Sequence, residues 1–148
     1  MGSLMSEEFA LVATIDPDAY TTGTSGSDWV DMGMFQQIMC TVYVGTLGSS
    51  AGVDVQLEQA TDSSGTGAKD ITGKTITELT DAATNSDDQA IINLRSDELD
   101  VANDFTHVRA VMTVATATSD AGLAIYGRRA RRQPASQNDL ASVVEIVS

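Results

Sequence analysis

The chain has 148 residues, 42% of them apolar but only 5% aromatic, and its 21 acidic against 8 basic side chains give a formal net charge of −13. That length suits one domain with a core of its own, built thinly from Val, Ile, Leu, Ala and Met. The charge argues against a nucleic-acid backbone or an anionic membrane surface as partner, since both are gripped by Lys and Arg.

Residues 1–27 read as an N-terminal arm. They carry a short apolar patch (Phe9, Leu11, Val12, Ile15), a turn at Asp16-Pro17-Asp18, and a stretch from Thr21 to Ser27 with turn chemistry and no periodicity. Such a segment must pack on something larger, either the body of its own domain or a neighbouring subunit. The first residues show no basic region followed by an apolar one, so no secretory signal is expected. Met1-Gly2 fits the loose myristoylation pattern, which is too short to weigh.

From Asp28 to Arg132 the dominant signal is strict alternation, which marks strands with one face in a core and one in water. Trp29 to Met32 opens this region. Residues 35–46 follow, with Ile38, Cys40, Val42 and Val44 on one face and Met39, Thr41 and Tyr43 on the other. Both faces are fairly apolar, which predicts a central strand. Cys40 reads as a small buried hydrophobe. Residues 53–60 give the cleanest strand, with Val53, Val55 and Leu57 inward. Residues 61–68 read as a hairpin connection, and 71–79 as one or two short strands around Gly73. Residues 89–94 place Ala90, Ile92 and Leu94 on one face, between two acidic loops. Residues 105–116 turn Val108, Ala110, Met112 and Val114 inward, and 121–127 add Leu123 and Ile125. Seven to nine short strands with Gly, Ser and Asp between them predict an all-β fold, a single β-sandwich or jelly-roll-like domain over residues 28–132. Residues 133–148 read as a polar linker and a β-branched tail with Val143, Val144, Ile146 and Val147. The tail is either a closing strand of its own sheet or an addition to a neighbour's sheet edge.

Little in the chain could carry catalysis. His107 is the only histidine and Cys40 the only cysteine, too few for a usual zinc site, and no sequence around His107 resembles a nucleophile elbow. No catalytic residue, metal ligand or cofactor is therefore assigned. The loop acids Asp81, Asp87, Asp88, Asp97, Glu98, Asp100 and Asp104 leave calcium open as an alternative, but none fits an EF-hand loop. The one sharp charge feature is Arg128-Arg129-Ala130-Arg131-Arg132, which holds four of the eight basic residues. It reads as an anchor for carboxylates on a partner, because the planar guanidinium grips a carboxylate through two hydrogen bonds. The alternative is a solvated turn.

Several motifs together carry a resemblance: Trp-Val-Asp-Met-Gly-Met-Phe from Trp29, Val-Asp-Val-Gln-Leu-Glu-Gln-Ala-Thr-Asp-Ser-Ser-Gly from Val53, Ile-Asn-Leu-Arg-Ser-Asp-Glu-Leu from Ile92, and Tyr-Gly-Arg-Arg-Ala-Arg-Arg-Gln-Pro from Tyr126. From Asp28 to Pro134 the chain resembles small structural proteins of tailed bacteriophages and gene-transfer particles, and is similar to their head decoration (cement) proteins. The resemblance implies a non-enzymatic virion protein, made in the bacterial cytoplasm, that sits on the outside of a capsid as a homo-oligomer, a trimer by preference. Its partner would be the major capsid protein, bridged across neighbouring subunits. On this reading Phe9, Leu11, Ile15, Val143, Val144 and Ile146 make subunit or capsid contacts, and Arg128, Arg129, Arg131 and Arg132 anchor them. The alternatives are a head-spike or tail component, and a carbohydrate- or calcium-binding sandwich module.

Overall fold

The computed structural model describes residues 2–148; Met1, the first residue of the expected arm, lies outside them. In chain order the elements are α1 (Met5–Glu8), β1 (Phe9–Tyr20), β2 (Gly23–Gly26), β3 (Val30–Asp31), β4 (Phe35–Val44), β5 (Gly52–Ala60), β6 (Lys69–Thr75), β7 (Leu79–Thr80), β8 (Gln89–Arg95), β9 (His107–Ala115) and β10 (Ser119–Ala130). Short 3-10 turns at Ser96–Glu98 and Val101–Asn103 follow β8, and a third at Ala135–Asn138 follows β10. The strands form two antiparallel sheets, one ordered β1-β10-β4-β8 and the other β2-β9-β5-β6, with β3 added to β9 and β7 to β5. This is the all-β sandwich that the alternation predicts.

The period-two pattern sets the registers. Across the four-stranded sheet, Ala13, Ile125, Cys40 and Ile92 stand opposite one another and face inward. Across the other sheet Val53 meets Val114, Val55 meets Met112 and Leu57 meets Ala110, all buried. The core between them is aliphatic, and Phe35 is the one aromatic among the described buried residues. Cys40 lies there as a free thiol, and burial pushes its pKa up to about 12. β4 is an inner strand, as expected from its two apolar faces.

Both ends of the chain depart from expectation. Residues 9–26 are not an arm: β1 is a twelve-residue edge strand of one sheet and β2 an edge strand of the other. The alternation is hidden because register shifts between Leu11 and Ala13, and between Ile15 and Asp18, each insert extra residues. The buried set is consequently Ala10, Ala13 and Ile15, spaced by three and then two. A bulge re-aims side chains in this way, and Pro17 is tolerated because β1 is an edge. Of the two readings of the tail, the closing strand of its own sheet is not formed: residues after Leu140 form a turn and then irregular chain, with Val144 at 95% and Val147 at 85% exposure. The stretch of the β1 edge nearest the tail is already taken. On the free side of β1 the Leu11 amide donates to Asp139 Oδ1 at 2.7 Å, and the Leu140 amide donates to the Leu11 carbonyl at 2.8 Å. These two bonds close that edge before the β-branched run begins.

Candidate functional site

The outer face of the four-stranded sheet carries a concavity of about 880 Å³. Its floor is two cross-strand rows. Phe9, Arg128, Gln37 and Arg95 form one row, and Leu11, Tyr126, Met39 and Asn93 the next. Met5 from α1, with Val143 and Ile146 from the tail, walls it on the β1 side. Phe9, Leu11, Val143 and Ile146, proposed contact residues from the sequence, therefore converge on one hollow. Ile15 does not join them, because the bulges turn it into the core. Val144 is fully outside. Further along the same face Tyr43 and Ile91 are exposed, at 52% and 59%.

The acids around this hollow hold sheet edges. Glu98 accepts the Arg95 amide at 2.7 Å and pairs with Lys74 at 3.0 Å, while Lys74 donates to the Asn93 carbonyl at 2.9 Å. Together they cap the outer edge of β8, a recognised defence against strand addition. The Arg95 amide first, and Lys74 second, hold the Glu98 carboxyl below the usual carboxylate value of 4.5. Asp139 is spent on the Leu11 amide. No carboxylate here is left facing another as a general acid–base pair would be.

A group with a depressed folded pKa stabilises fully above its unfolded value, and that contribution is lost as pH falls through the folded one. Glu98→Gln keeps an acceptor for the Arg95 amide but loses the charge. It is expected to lower stability at neutral pH by about 0.5–1 kcal/mol, or about 2 °C in Tm. The gap between wild type and variant should be constant at neutral pH and narrow below about 4.5; thermal melts across that range measure it.

Of the arginine cluster, Arg128 lines the hollow. Arg128 and Arg129 belong to β10 itself, rather than to a turn after it, and all four arginines are exposed. The Arg128 guanidinium lies 5.4 Å from the centre of the Phe9 ring. Arg129 sits at φ 53°, the left-handed region that side chains other than Gly, Asn and Asp rarely adopt. Among the described residues four ion pairs form: Lys69–Asp100, Lys74–Glu98, Arg95–Asp97 and Arg109–Glu58. They use every basic residue outside the cluster and none within it.

The features that favoured other chemistry are otherwise engaged. Trp29, the chain's one tryptophan, has the Arg109 guanidinium 4.7 Å from its ring centre, and a Cβ on Gly65 would meet three indole atoms at 3.0–3.1 Å. The loop acids divide between the two ends of β8. Asp81 accepts the Ser50 amide and Asp88 the Asn85 side chain at one end, while Asp97, Glu98 and Asp100 are ion-paired at the other. Among the described residues no three His, Cys, Asp or Glu gather as a metal site, and no helix is long and apolar enough to cross a membrane. His107 bonds the Thr106 hydroxyl through Nδ1 at 2.8 Å, at the start of β9.

No family model matches the chain, and no curated protein matches it. Solved structures show distant likenesses. A chain in the structure of infectious bursal disease virus, Gx strain, gives a TM-score of 0.44 at 8% identity over 86% of this chain and 33% of that one. A chain of naturally occurring empty cowpea mosaic virus particles gives 0.40 at 10% identity over 90% and 94%. A chain of the disulfide-linked pili that form Bacillus endospore appendages gives 0.33 at 12% over 86% and 96%. This chain thus spans about a third of the first of these. Likenesses this remote assign neither a family nor a function.

Proposed function

We propose that this chain is a non-enzymatic structural protein of a phage-type particle, which binds the outside of the shell and stabilises it by bridging neighbouring major capsid proteins. The observation that carries the reading is the contrast in pairing: four exposed arginines stay free on a chain of net charge −13, beside an apolar hollow, while the other four basic residues are all neutralised. An apolar hollow with the exposed Arg128 at its lining, and three more free arginines directly after it in sequence, suits a contact with protein carboxylates. The resemblance in strand motifs supplies the particle. In this role the hollow of Phe9, Leu11, Val143 and Ile146 takes an apolar element of the shell or of a neighbouring copy, and Arg128, Arg129, Arg131 and Arg132 grip the carboxylates around it. A clamp that binds only the intact lattice stabilises it by mass action, and several clamps in one oligomer act at high effective concentration.

The test is occupancy. Particles are purified on a density gradient from cells expressing the wild type or the variant with all four arginines changed to serine, and bound copies are counted by quantitative mass spectrometry. Loss of four charge-assisted contacts is expected to reduce occupancy about tenfold or more at equal expression. Unchanged occupancy overturns the anchoring role, and absence of the wild-type protein from banded particles overturns the virion reading itself.

A further inference from the structure

The outer face of the four-stranded sheet continues past the hollow. Beyond the row of Leu11, Tyr126, Met39 and Asn93, the registers set Thr14, Ala124, Thr41 and Ile91 side by side. Gly122, Tyr43 and Gln89 form the row after that. No residue of these rows is charged, on a chain of net charge −13. Asp16, in the β1 bulge at the margin of the face, accepts the Thr14 hydroxyl at 3.0 Å. Tyr43 and Ile91 stand exposed, whereas a sheet face that meets only water normally turns polar side chains to it. Along β10 the charges return at the two ends, as Arg128 beside the hollow and Asp120 at the far end, both exposed on this face with Ala124 midway between them.

The same face is hollow at one end and raised at the other. The hollow of about 880 Å³ lies at the Arg128 end. At the Asp120 end the β1 bulge folds over β10, so that a Cβ on Gly122 would lie 2.9 Å from the Pro17 Cα and 3.1 Å from the Ile15 carbonyl oxygen. This close approach requires glycine, and it lifts Pro17 above the sheet, near the exposed Tyr43. Between the two ends Thr41 is buried among its neighbours.

We propose that two copies pack these faces together about a two-fold axis that crosses the strands at Ala124 and Thr41. Each residue then meets the one equally far beyond the axis in the other copy. Arg128 faces Asp120, Tyr43 faces Met39, and the raised Pro17 sits over the hollow at Leu11 and Tyr126. Sheets packed face to face stand about 10 Å apart, a gap that an arginine and an aspartate side chain bridge together. A two-fold axis along the strands would instead set Arg128 against Arg128 and one raised end against the other. Charge and relief thus select the same arrangement. Two copies of so acidic a chain repel each other in most orientations, and an uncharged face adds least to that repulsion. The face measures about 26 Å along β10 and about 19 Å across four strands, on the order of 500 Å² from each copy. The total of about 1,000 Å² lies at the low end for a specific interface and suits a reversible dimer. Such a contact is isologous and closes at two copies, in place of the trimer that the resemblance implies. Of the two occupants that the proposed function allows the hollow, shell or neighbouring copy, this one is the copy. Its test involves no particle, so either idea can fail alone.

Four purified full-length variants provide the test, with circular dichroism and thermal melts confirming that each folds. They carry Arg128→Glu, Asp120→Arg, both of these together, and Ile91→Glu, all at exposed positions. Sedimentation velocity is run at about 100 μM protein in about 0.15 M salt. The wild type is expected to form a dimer. Each single charge reversal turns both attractive pairs repulsive and should weaken association about tenfold. The double variant restores opposite charges at both pairs and should recover it. Ile91 lies in the row on the axis, so Ile91→Glu sets two carboxylates against each other and should weaken the dimer about as much, although it touches neither pair. A monomeric wild type, single variants that associate as well as wild type, a double variant with no recovery, or growth beyond the dimer would each overturn the proposal.

Discussion

Replacing Leu57 with alanine is expected to lower the free energy of unfolding by about 2–5 kcal/mol, a large part of the 5–15 kcal/mol available to a domain of this kind. Leu57 is fully buried at the middle of β5, opposite Ala110 on β9. Its cross-strand neighbour is small, so the leucine fills space that alanine cannot, and a cavity remains unless the sheets close over it. In a sandwich both sheets are held apart by all the other inward residues, such as Val55 and Met112 beside it. Collapse is therefore limited, and the cost should fall in the upper half of the range. Urea unfolding of wild type and variant, followed by circular dichroism, measures it: the midpoint should fall while the slope stays unchanged. A loss under about 1 kcal/mol would mean that the two sheets are not rigidly spaced at this layer.

The residues that make Leu57 predictable are those in which one physical rule acts alone. In β5 the alternation is uninterrupted from Val53 to Leu57, in β9 it is broken only by Val111 between Val108 and Val114, and the predicted inward residues of both strands are buried. Where two rules compete, the pattern ceases to be legible. In β1 two bulges break the period, so Phe9 and Leu11 look like a loose patch although they are outward positions of a paired strand. β2, with the sequence Gly-Thr-Ser-Gly, has no apolar face at all; it pairs with β9 and reads as a loop. The tail shows the reverse error. Its β-branched residues favour a strand, but strand propensity expresses packing on neighbours, and Asp139 and Leu140 already occupy the edge nearest to them.

The candidate site was legible in its parts and not in its assembly. Residue type alone singles out the arginines, and hydrophobicity singles out Phe9, Leu11, Val143 and Ile146. Their meeting depends on register, which places Phe9 beside Arg128 and Leu11 beside Tyr126. The pairing census is equally hidden, because Lys74 meets Glu98 and Arg109 meets Glu58 across long sequence separations. Hence the free state of the cluster is a property of the fold. Arg129 adds to this: a long charged side chain held at φ 53° costs free energy that glycine would save. Backbone strain of this kind concentrates at functional positions.

Gly127 links that site to the core, and Gly127→Ala is expected to destabilise the protein by about 1–3 kcal/mol through overpacking. A Cβ at this position would meet three atoms of the Phe35 ring at 2.5–2.8 Å, closer than real contacts allow. The ring is 5% exposed and flanked by the β10 strand that carries Arg128 and Arg129, so it has little room to retreat. Phe35→Ala removes the only aromatic of the described core and should cost about 3–5 kcal/mol. The informative experiment is the double-mutant cycle. If ring and glycine are fitted to each other, Gly127→Ala costs little once Phe35 is alanine, and the two effects fall short of additive by about 1 kcal/mol or more. Simple additivity would show that the added methyl acts on the backbone of β10 instead. Because Arg128 and Arg129 follow Gly127 directly on β10, a shift of the strand away from Phe35 also moves Arg128 off Phe9. Gly127→Ala should therefore weaken whatever contact the arginines make, even though it alters no charge.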